Sequence, residues 1–255
     1  MPLLFLQALL CAQPGKLPSP ELVEFGTRED TPLMFPILFE DNHLIAVCKP
    51  HGQPVQGDES GDVALIDEIK AFIKARDNKP GNVFLGLLHR LDRPVGGVVL
   101  FAKTSKAAAR LSDQFRKHEI QKIYIAVAER TAEPPATSGT IVQWLVKNEQ
   151  NNVVTAYRDT RPGAQRAETR WRLLQKTATY IFYELEPVTG RSHQLRVALA
   201  RELKTPIVGD IKYGASGPLA DGRAIALFAR SLVFTHPISG QRQTILATPE
   251  LEIFS

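Results

Sequence analysis

Short apolar runs bounded by turn residues recur along most of the chain, and this pattern predicts many strands and few helices. The predicted strands cover residues 37–40, 43–49, 98–102, 122–128, 140–146, 153–157, 168–174, 179–186, 226–235 and 243–247. Helical spacing of apolar residues predicts one helix capped by Asp62, one over 106–117 and one over 192–203. Thr104 or Ser105 is the expected cap of the second helix. Strands and helices do not alternate one for one, which favours an α+β fold with a largely antiparallel sheet.

The amino-terminal part of the chain differs from the rest. Residues 12–36 contain five prolines, an arrangement typical of extended or irregular chain. We therefore predict a mostly irregular N-terminal extension over 1–35 and a single domain over 36–255. The loop 130–139, with two prolines and a glycine, is a candidate boundary between two lobes near 130–140.

Composition excludes several classes of protein. The net charge of +4 and the pI near 9.1 permit an anionic partner without requiring one. Cys11 and Cys48 form no CxxC pair, so neither a structural zinc site nor a disulfide framework is expected, and the location predicted is cytoplasmic.

The apolar start, residues 1–12, is too short to span a bilayer and lacks the basic flank of a secretory signal. No membrane association is expected.

The usual cofactor and metal signatures are also missing from the sequence. It contains no GxxxxGK[ST], GxGxxG, HExxH or GxSxG pattern. We therefore expect no metal and no cofactor, and any chemistry must come from side chains alone.

The most informative stretch is 89–97, HRLDRPVGG, which places a carboxylate, Asp92, between two arginines and between two apolar runs. Pro94 restricts the backbone, so we expect a rigid polar loop at a sheet edge. An ordinary surface ion pair on a turn is the alternative.

A second polar cluster lies at 187–196, PVTGRSHQLR, where a strand end leads into a helix. Arg191, His193 and Gln194 fall at the helix N-terminus, which favours anions such as phosphate. Arg196 lies at the border of the apolar helical stripe that begins at Leu195. It either pairs with a carboxylate or phosphate or extends along the stripe to solvent.

These motifs resemble those of RluA-type pseudouridine synthases. The matching elements are Lys49-Pro50, HRLDRPVGGVVLFAKT over 89–104, QKIY over 121–124, TGRSHQLRV over 189–197 and PIVGD over 206–210. The match runs from about residue 37 to about residue 247, in the family's order. The resemblance implies the pseudouridine synthase fold, a bent mixed sheet that is largely antiparallel and flanked by helices and loops. It also implies isomerisation of uridine in tRNA or ribosomal RNA, without a cofactor, metal or protein partner, by a monomer.

The resemblance assigns roles to individual residues. Asp92 corresponds to the catalytic aspartate, Tyr124 to the conserved tyrosine of the K-x-Y element, and Arg196 to the arginine that pairs with the aspartate. Arg90 corresponds to the arginine that helps displace the target base, and Leu195 to the leucine beneath the active site. The remaining substrate-binding candidates are His89, Arg93, Arg191, His193, Gln194 and Lys49.

The chain also departs from the family pattern. Val95-Gly96 stands where threonine-serine is common, which puts RNA choice in question. Only about 36 residues precede the matching region, so the resemblance is to the short members that lack an S4 domain. A non-catalytic RNA-binding protein and a hydrolase that releases uracil are the competing hypotheses.

Overall fold

The computed structural model describes residues 35–58 and 60–254. Apart from Phe35, the predicted N-terminal extension lies outside the described residues. The division of the remaining chain into a single domain with two lobes stays a prediction.

One sheet organises the described residues. Its strands are β1 (Ile37–Glu40), β2 (Leu44–Lys49), β3 (Gly86–Leu87), β4 (Gly96–Ala102), β5 (Gln121–Glu129), β6 (Ser138–Asn148), β7 (Val153–Tyr157), β8 (Gln165–Lys176), β9 (Tyr180–Pro187), β10 (Leu227–Thr235) and β11 (Arg242–Leu246). The order across the sheet is β1-β2-β4-β10-β5-β9-β8-β6-β7, with β3 beside β4 and β11 beside β10. Every predicted strand is present with small shifts at its ends, whereas the two-residue β3 is not predicted by the sequence pattern.

The pairing is antiparallel throughout these strands except between β4 and β10, which run parallel. The prediction of an α+β fold with a largely antiparallel sheet is therefore confirmed. The parallel pairing depends on Gly97, whose φ is +117° and whose added Cβ would lie 2.3 Å from the carbonyl oxygen of Ala229. Only glycine permits such close approach of two backbones. The contact fixes the start of β4, which directly follows the 89–95 loop.

The helices are few, as expected. They are α1 (Leu65–Arg76), α2 (Ser105–Arg116) and α3 (Gln194–Ala198), which continues as a π-helical turn over Leu199–Leu203, together with short 3₁₀ turns at Ile211–Tyr213, Ala220–Gly222 and Glu252–Phe254. Thr104 caps α2 as predicted, because its hydroxyl accepts a hydrogen bond from the amide of Ala107 at 3.3 Å.

Two predicted helix starts are wrong. The cap position of α1 is Ala64, without a side-chain cap, while Asp62 forms an ion pair with Arg93. Asp62 lies two residues before the cap position, so its carboxylate is not placed to accept hydrogen bonds from the backbone amides of the first helical turn. The third helix begins at Gln194, two residues later than predicted, because His193 has a φ of +51° that no right-handed helix contains.

Two apolar clusters hold α3 in place. Leu195 and Leu199 belong to the main core cluster, and Val197 packs with Leu145, Val154, Ala167 and Tyr213 in a smaller cluster. Since successive α3 residues contact different clusters, the helix has little freedom to rotate. Arg196 is carried on this immobilised segment.

The departure at Val95-Gly96 has a steric explanation. A Cβ at Gly96 would lie 2.5 Å from Cε1 of His51. The His51 ring stacks on Phe228 with ring centroids 6.0 Å apart, and burial lowers the pKa of His51 to about 4. His51 therefore occupies the space that a side chain at position 96 would need.

We expect Gly96→Ala to lower the free energy of unfolding by about 1–3 kcal/mol, the usual effect of overpacking. His51→Ala in the same chain is expected to recover part of that loss, because it empties the contested space. Denaturant unfolding of both single variants and the double variant measures the coupling. Strictly additive losses would show that the two positions do not compete.

Candidate active site

A cavity of about 640 Å³ opens where the loop before β4, strand β5 and the segment leading into α3 meet. Its walls contain Gln56, Leu87, Leu88, His89, Arg90, Leu91, Asp92, Val95, Phe115, Arg116, His118, Lys122, Tyr124, Pro187, Thr189, Gly190, Arg191, Ser192, His193, Gln194, Leu195, Arg196 and Leu227. The two polar clusters found in the sequence, some hundred residues apart, thus face one space.

Asp92 is held at the wall of this cavity by a tight loop. The amide of Val95 donates to the carbonyl of Asp92 at 2.9 Å, and the apolar neighbours Leu91 and Val95 are buried. The carboxylate itself is 31% exposed. A backbone anchored on both sides therefore presents a charged group to the cavity, and only part of that group is shielded from solvent.

Arg196 connects this carboxylate to a second, fully buried one. Its Nε donates to Asp210 Oδ2 at 2.8 Å and its Nη2 to Asp210 Oδ1 at 2.7 Å, a bidentate pair. Its Nη1 donates to Asp92 Oδ2 at 3.2 Å. Burial acts to lower the pKa of Arg196, but Asp210 and Asp92 outweigh it and raise that pKa above its ordinary value.

Asp210 is the functional residue that the sequence analysis did not assign. It ends the PIVGD element, and its side chain is only 1% exposed. Two features of the sequence could have indicated Asp210: it is an acid at the end of a recognised element, and Arg196 needed a carboxylate partner. The consequence is that the arginine stays charged and oriented through Asp210, independently of Asp92.

Part of the cavity lining is aromatic and aliphatic. Tyr124 on β5 lines the cavity together with Leu195 and Leu227, both of which are buried. Burial and the nearby charge of Asp92 raise the pKa of Tyr124. The phenol is therefore protonated at neutral pH. An aromatic ring, aliphatic side chains and a carboxylate that line one cavity suit a planar, uncharged ring carrying a sugar.

Comparison with known proteins agrees with this geometry. The family described as RNA pseudouridylate synthase matches residues 43–201, more than half of the chain. The chain belongs to this family. The tRNA pseudouridine synthase C of Salmonella typhimurium is 33% identical over 234 residues, covering 84% of this chain and 85% of that protein. The ribosomal large subunit pseudouridine synthase C of Vibrio cholerae is 32% identical over 222 residues, covering 85% of this chain. The chain spans about two thirds (66%) of the length of this Vibrio relative.

A solved structure, that of human RNA pseudouridylate synthase domain containing 4, superposes with a TM-score of 0.71 at 26% identity, covering 86% of this chain and 90% of that one. The resemblance to RluA-type pseudouridine synthases and the predicted pseudouridine synthase fold are thereby confirmed. Members of this family are isomerases that act on RNA. None of the helices in the described residues combines the length and apolar character that a bilayer-spanning helix requires.

Lys49, in the early element of the pseudouridine synthase pattern, does not line the cavity. It is fully buried, and its Nζ donates to the carbonyls of Pro50, Gln53 and Arg93 at 2.9, 2.7 and 3.0 Å. Burial lowers the pKa of Lys49 to about 7, an effect that Asp92 opposes. The lysine thus braces the backbone one residue from Asp92.

Arg93 also points away from the cavity. Its Nε donates to the carbonyl of Gly52 at 3.0 Å, and its guanidinium pairs with Asp58 and Asp62. These contacts tie the Asp92 loop to the 52–62 segment. The structure therefore places Lys49 and Arg93 behind the 89–95 loop, where they support it.

Two other predicted substrate-binding residues, His89 and Gln194, line the cavity and also form hydrogen bonds within the protein. Nε2 of His89 accepts from the amide of Leu100 at 3.1 Å, and burial lowers the pKa of His89 to about 3, so the ring is neutral. The Gln194 amide donates to Glu168 and Thr169 and accepts from Thr189 and Arg191. Gln194 therefore fixes the wall, whereas the neutral His89 ring, which accepts at Nε2, carries its hydrogen on Nδ1.

The mouth of the cavity is basic. Arg90 and Arg191 are exposed there, and Arg116, His118 and Lys122 also contribute to the lining. Arg90 makes no ion pair or hydrogen bond within residues 35–58 and 60–254. We call these five residues the basic rim.

Proposed function

We propose that this protein converts uridine in tRNA or ribosomal RNA to pseudouridine and that Asp92 is its catalytic carboxylate. The observation that carries the proposal is the buried Asp210–Arg196 pair, whose third donor reaches Asp92 at the cavity wall. In the reaction the N1–C1′ bond breaks and a C5–C1′ bond forms. The proton on C5 is lost and N1 gains one, so the atoms balance without a co-reactant.

The size of the cavity supports an everted nucleoside as the substrate. A volume of about 640 Å³ lies within the range of pockets for small ligands, about 300–1,000 Å³. Extrusion of a base from an RNA stack costs a few kcal/mol. The exposed Arg90 guanidinium at the rim supports that step, since a planar cation can stack in the vacated position.

The side chains have distinct roles in the proposed reaction. Asp92 acts either as nucleophile at C1′ or as base toward the sugar, and both require a carboxylate. Arg196 stabilises its negative charge. The Tyr124 ring packs against the face of the uracil, with its hydroxyl near C5. Leu195 forms the apolar base of the cavity.

The test is incubation of the protein with unmodified tRNA and ribosomal RNA transcripts, followed by nucleoside analysis. Pseudouridine is the expected product. Binding without a product would favour the non-catalytic RNA-binding protein, and free uracil would favour the hydrolase. A monomeric state, a cytoplasmic location, the absence of a protein partner and the absence of a cofactor stay predictions.

Arg90→Ala is expected to lower kcat/KM for RNA by about 10- to 100-fold, because a stacking partner for the disrupted helix is lost. The melting temperature should not change, since Arg90 is exposed and has no partner among the residues that the structure describes. Arg172→Ala on β8 is the matched control, because Arg172 is an exposed arginine paired with Glu184 outside the cavity. Equal effects of the two variants would indicate general charge attraction rather than a role in base displacement.

A further inference from the structure

Two donors point at the same oxygen of Asp92. Nη1 of Arg196 lies 3.2 Å from Asp92 Oδ2, and Nε2 of His193 lies 3.9 Å from that same atom. Both contacts are to Oδ2 and not to Oδ1. The environment of the carboxylate is therefore asymmetric, with one oxygen directed into the protein.

The hydrogen bonds of Tyr213 determine which nitrogen of His193 carries the proton. The Tyr213 hydroxyl accepts from the amide of Val154 at 2.9 Å and lies 2.7 Å from His193 Nδ1. Among the described residues, Nδ1 is the only acceptor within hydrogen-bond distance of this hydroxyl, so the single hydroxyl proton is donated to Nδ1. A neutral imidazole that accepts at Nδ1 carries its hydrogen on Nε2, which is the nitrogen nearest to Asp92.

The surroundings keep His193 neutral and fixed. Its side chain is 6% exposed, and burial lowers its pKa; Arg196 and Lys212 act in the same direction, while Asp92 and Asp210 oppose them. The backbone of His193 adopts a left-handed φ of +51°, which is costly for a residue with a Cβ. A strained backbone and a buried ring indicate that this orientation is imposed by the fold.

We propose that His193 is a positioning residue that, through the Nε2–H form imposed by Tyr213, holds Asp92 with Oδ2 toward the protein and Oδ1 toward the substrate. The proposal rests on the proposed function and deepens it. The proposal requires the 3.9 Å separation to shorten to hydrogen-bond distance in the RNA complex, as catalytic hydrogen bonds commonly do on substrate binding. Tyr213 thereby connects β7, through Val154, to the orientation of the catalytic carboxylate.

Two substitutions of His193 separate its two nitrogens. The amide nitrogen of His193→Gln reaches the place of Nε2, whereas that of His193→Asn reaches only the place of Nδ1. On the unmodified transcripts, we expect His193→Asn to lower kcat by about 10- to 150-fold with little change in KM. We expect His193→Gln to stay within about tenfold of the wild type.

Tyr213→Phe provides the second variant. It keeps the aromatic ring under the Arg196 guanidinium, at 5.1 Å, but removes the proton that fixes His193. The matched control is Tyr183→Phe, because Tyr183 is a buried tyrosine whose hydroxyl contacts Thr205 at 3.3 Å, outside the cavity. Both variants are expected to lower the melting temperature, but only Tyr213→Phe should lower kcat.

A spectroscopic readout needs no RNA. In ¹⁵N spectra of the free protein, the His193 signals, assigned by their loss in His193→Gln, are expected to show a protonated Nε2 and an unprotonated Nδ1 at neutral pH. A proton on Nδ1 would overturn the proposal, as would equal kcat for the Asn and Gln variants or equal kcat for the two Tyr→Phe variants. Absence of pseudouridine with the wild type would instead overturn the proposed function, and the spectra would still decide the orientation of His193.

Discussion

Asp92→Asn is expected to reduce pseudouridine formation by at least about a thousandfold, the scale on which enzymes lose rate when a group that reacts directly is removed. Asparagine has the same shape but lacks the negative charge that either proposed role of Asp92 requires. Single-turnover assays on unmodified transcripts measure the effect.

The protein should remain folded, because the substitution leaves no buried charge unpaired. Arg196 keeps its bidentate partner Asp210, and the free energy of unfolding should change by less than about 1 kcal/mol. Asp77→Asn is the matched control, since Asp77 also pairs with an arginine, Arg76, outside the cavity. Turnover of Asp92→Asn within tenfold of the wild type would exclude Asp92 as the catalytic carboxylate.

Arg196→Met is expected to impair both stability and turnover. The substitution leaves Asp210, whose side chain is 1% exposed, as a buried carboxylate without a partner. Removal of one member of a buried pair typically costs about 3–5 kcal/mol. Turnover should also fall at temperatures where the variant is folded, because Asp92 loses the donor at 3.2 Å.

A second substitution separates these two effects. In Arg196→Met/Asp210→Asn the buried position no longer carries a full charge, so part of the lost stability should return. Turnover should not return, because Asp92 still lacks its donor. Denaturant unfolding and single-turnover kinetics on the two variants test this. Recovery of both properties would mean that Arg196 acts only through folding, and an unchanged melting temperature for Arg196→Met would contradict the buried pair.

The apolar pattern of the sequence was sufficient to predict the strands, and the resemblance to RluA-type pseudouridine synthases predicted the juxtaposition of Asp92 with Arg196. Strand prediction succeeded because short apolar runs bounded by turn residues are a signal contained in the local sequence. The predicted starts of two helices were wrong. Asp62 forms an ion pair with Arg93 instead of capping α1, and the left-handed backbone of His193 prevents α3 from starting at Ser192. Such features depend on distant residues, and a local pattern does not contain them.

The same reasoning explains the site residues. Lys49 and Arg93 are polar members of recognised elements, but carbonyl and carboxylate partners elsewhere in the chain turn them away from the cavity. Asp210 was not assigned because its partner, Arg196, was expected to pair with Asp92 alone. The Tyr213 contact with His193 joins residues twenty positions apart through one hydroxyl, and nothing in either motif indicates that bond.

The central claim is that the cavity containing Asp92 isomerises uridine in cellular RNA. The most direct measurement is a map of pseudouridine across total RNA from cells with the gene, without it, and with it restored as wild type or as Asp92→Asn. We predict that at least one pseudouridine in tRNA or ribosomal RNA disappears on deletion and returns only with the wild-type gene. An unchanged map on deletion, or restoration by Asp92→Asn, would contradict the claim.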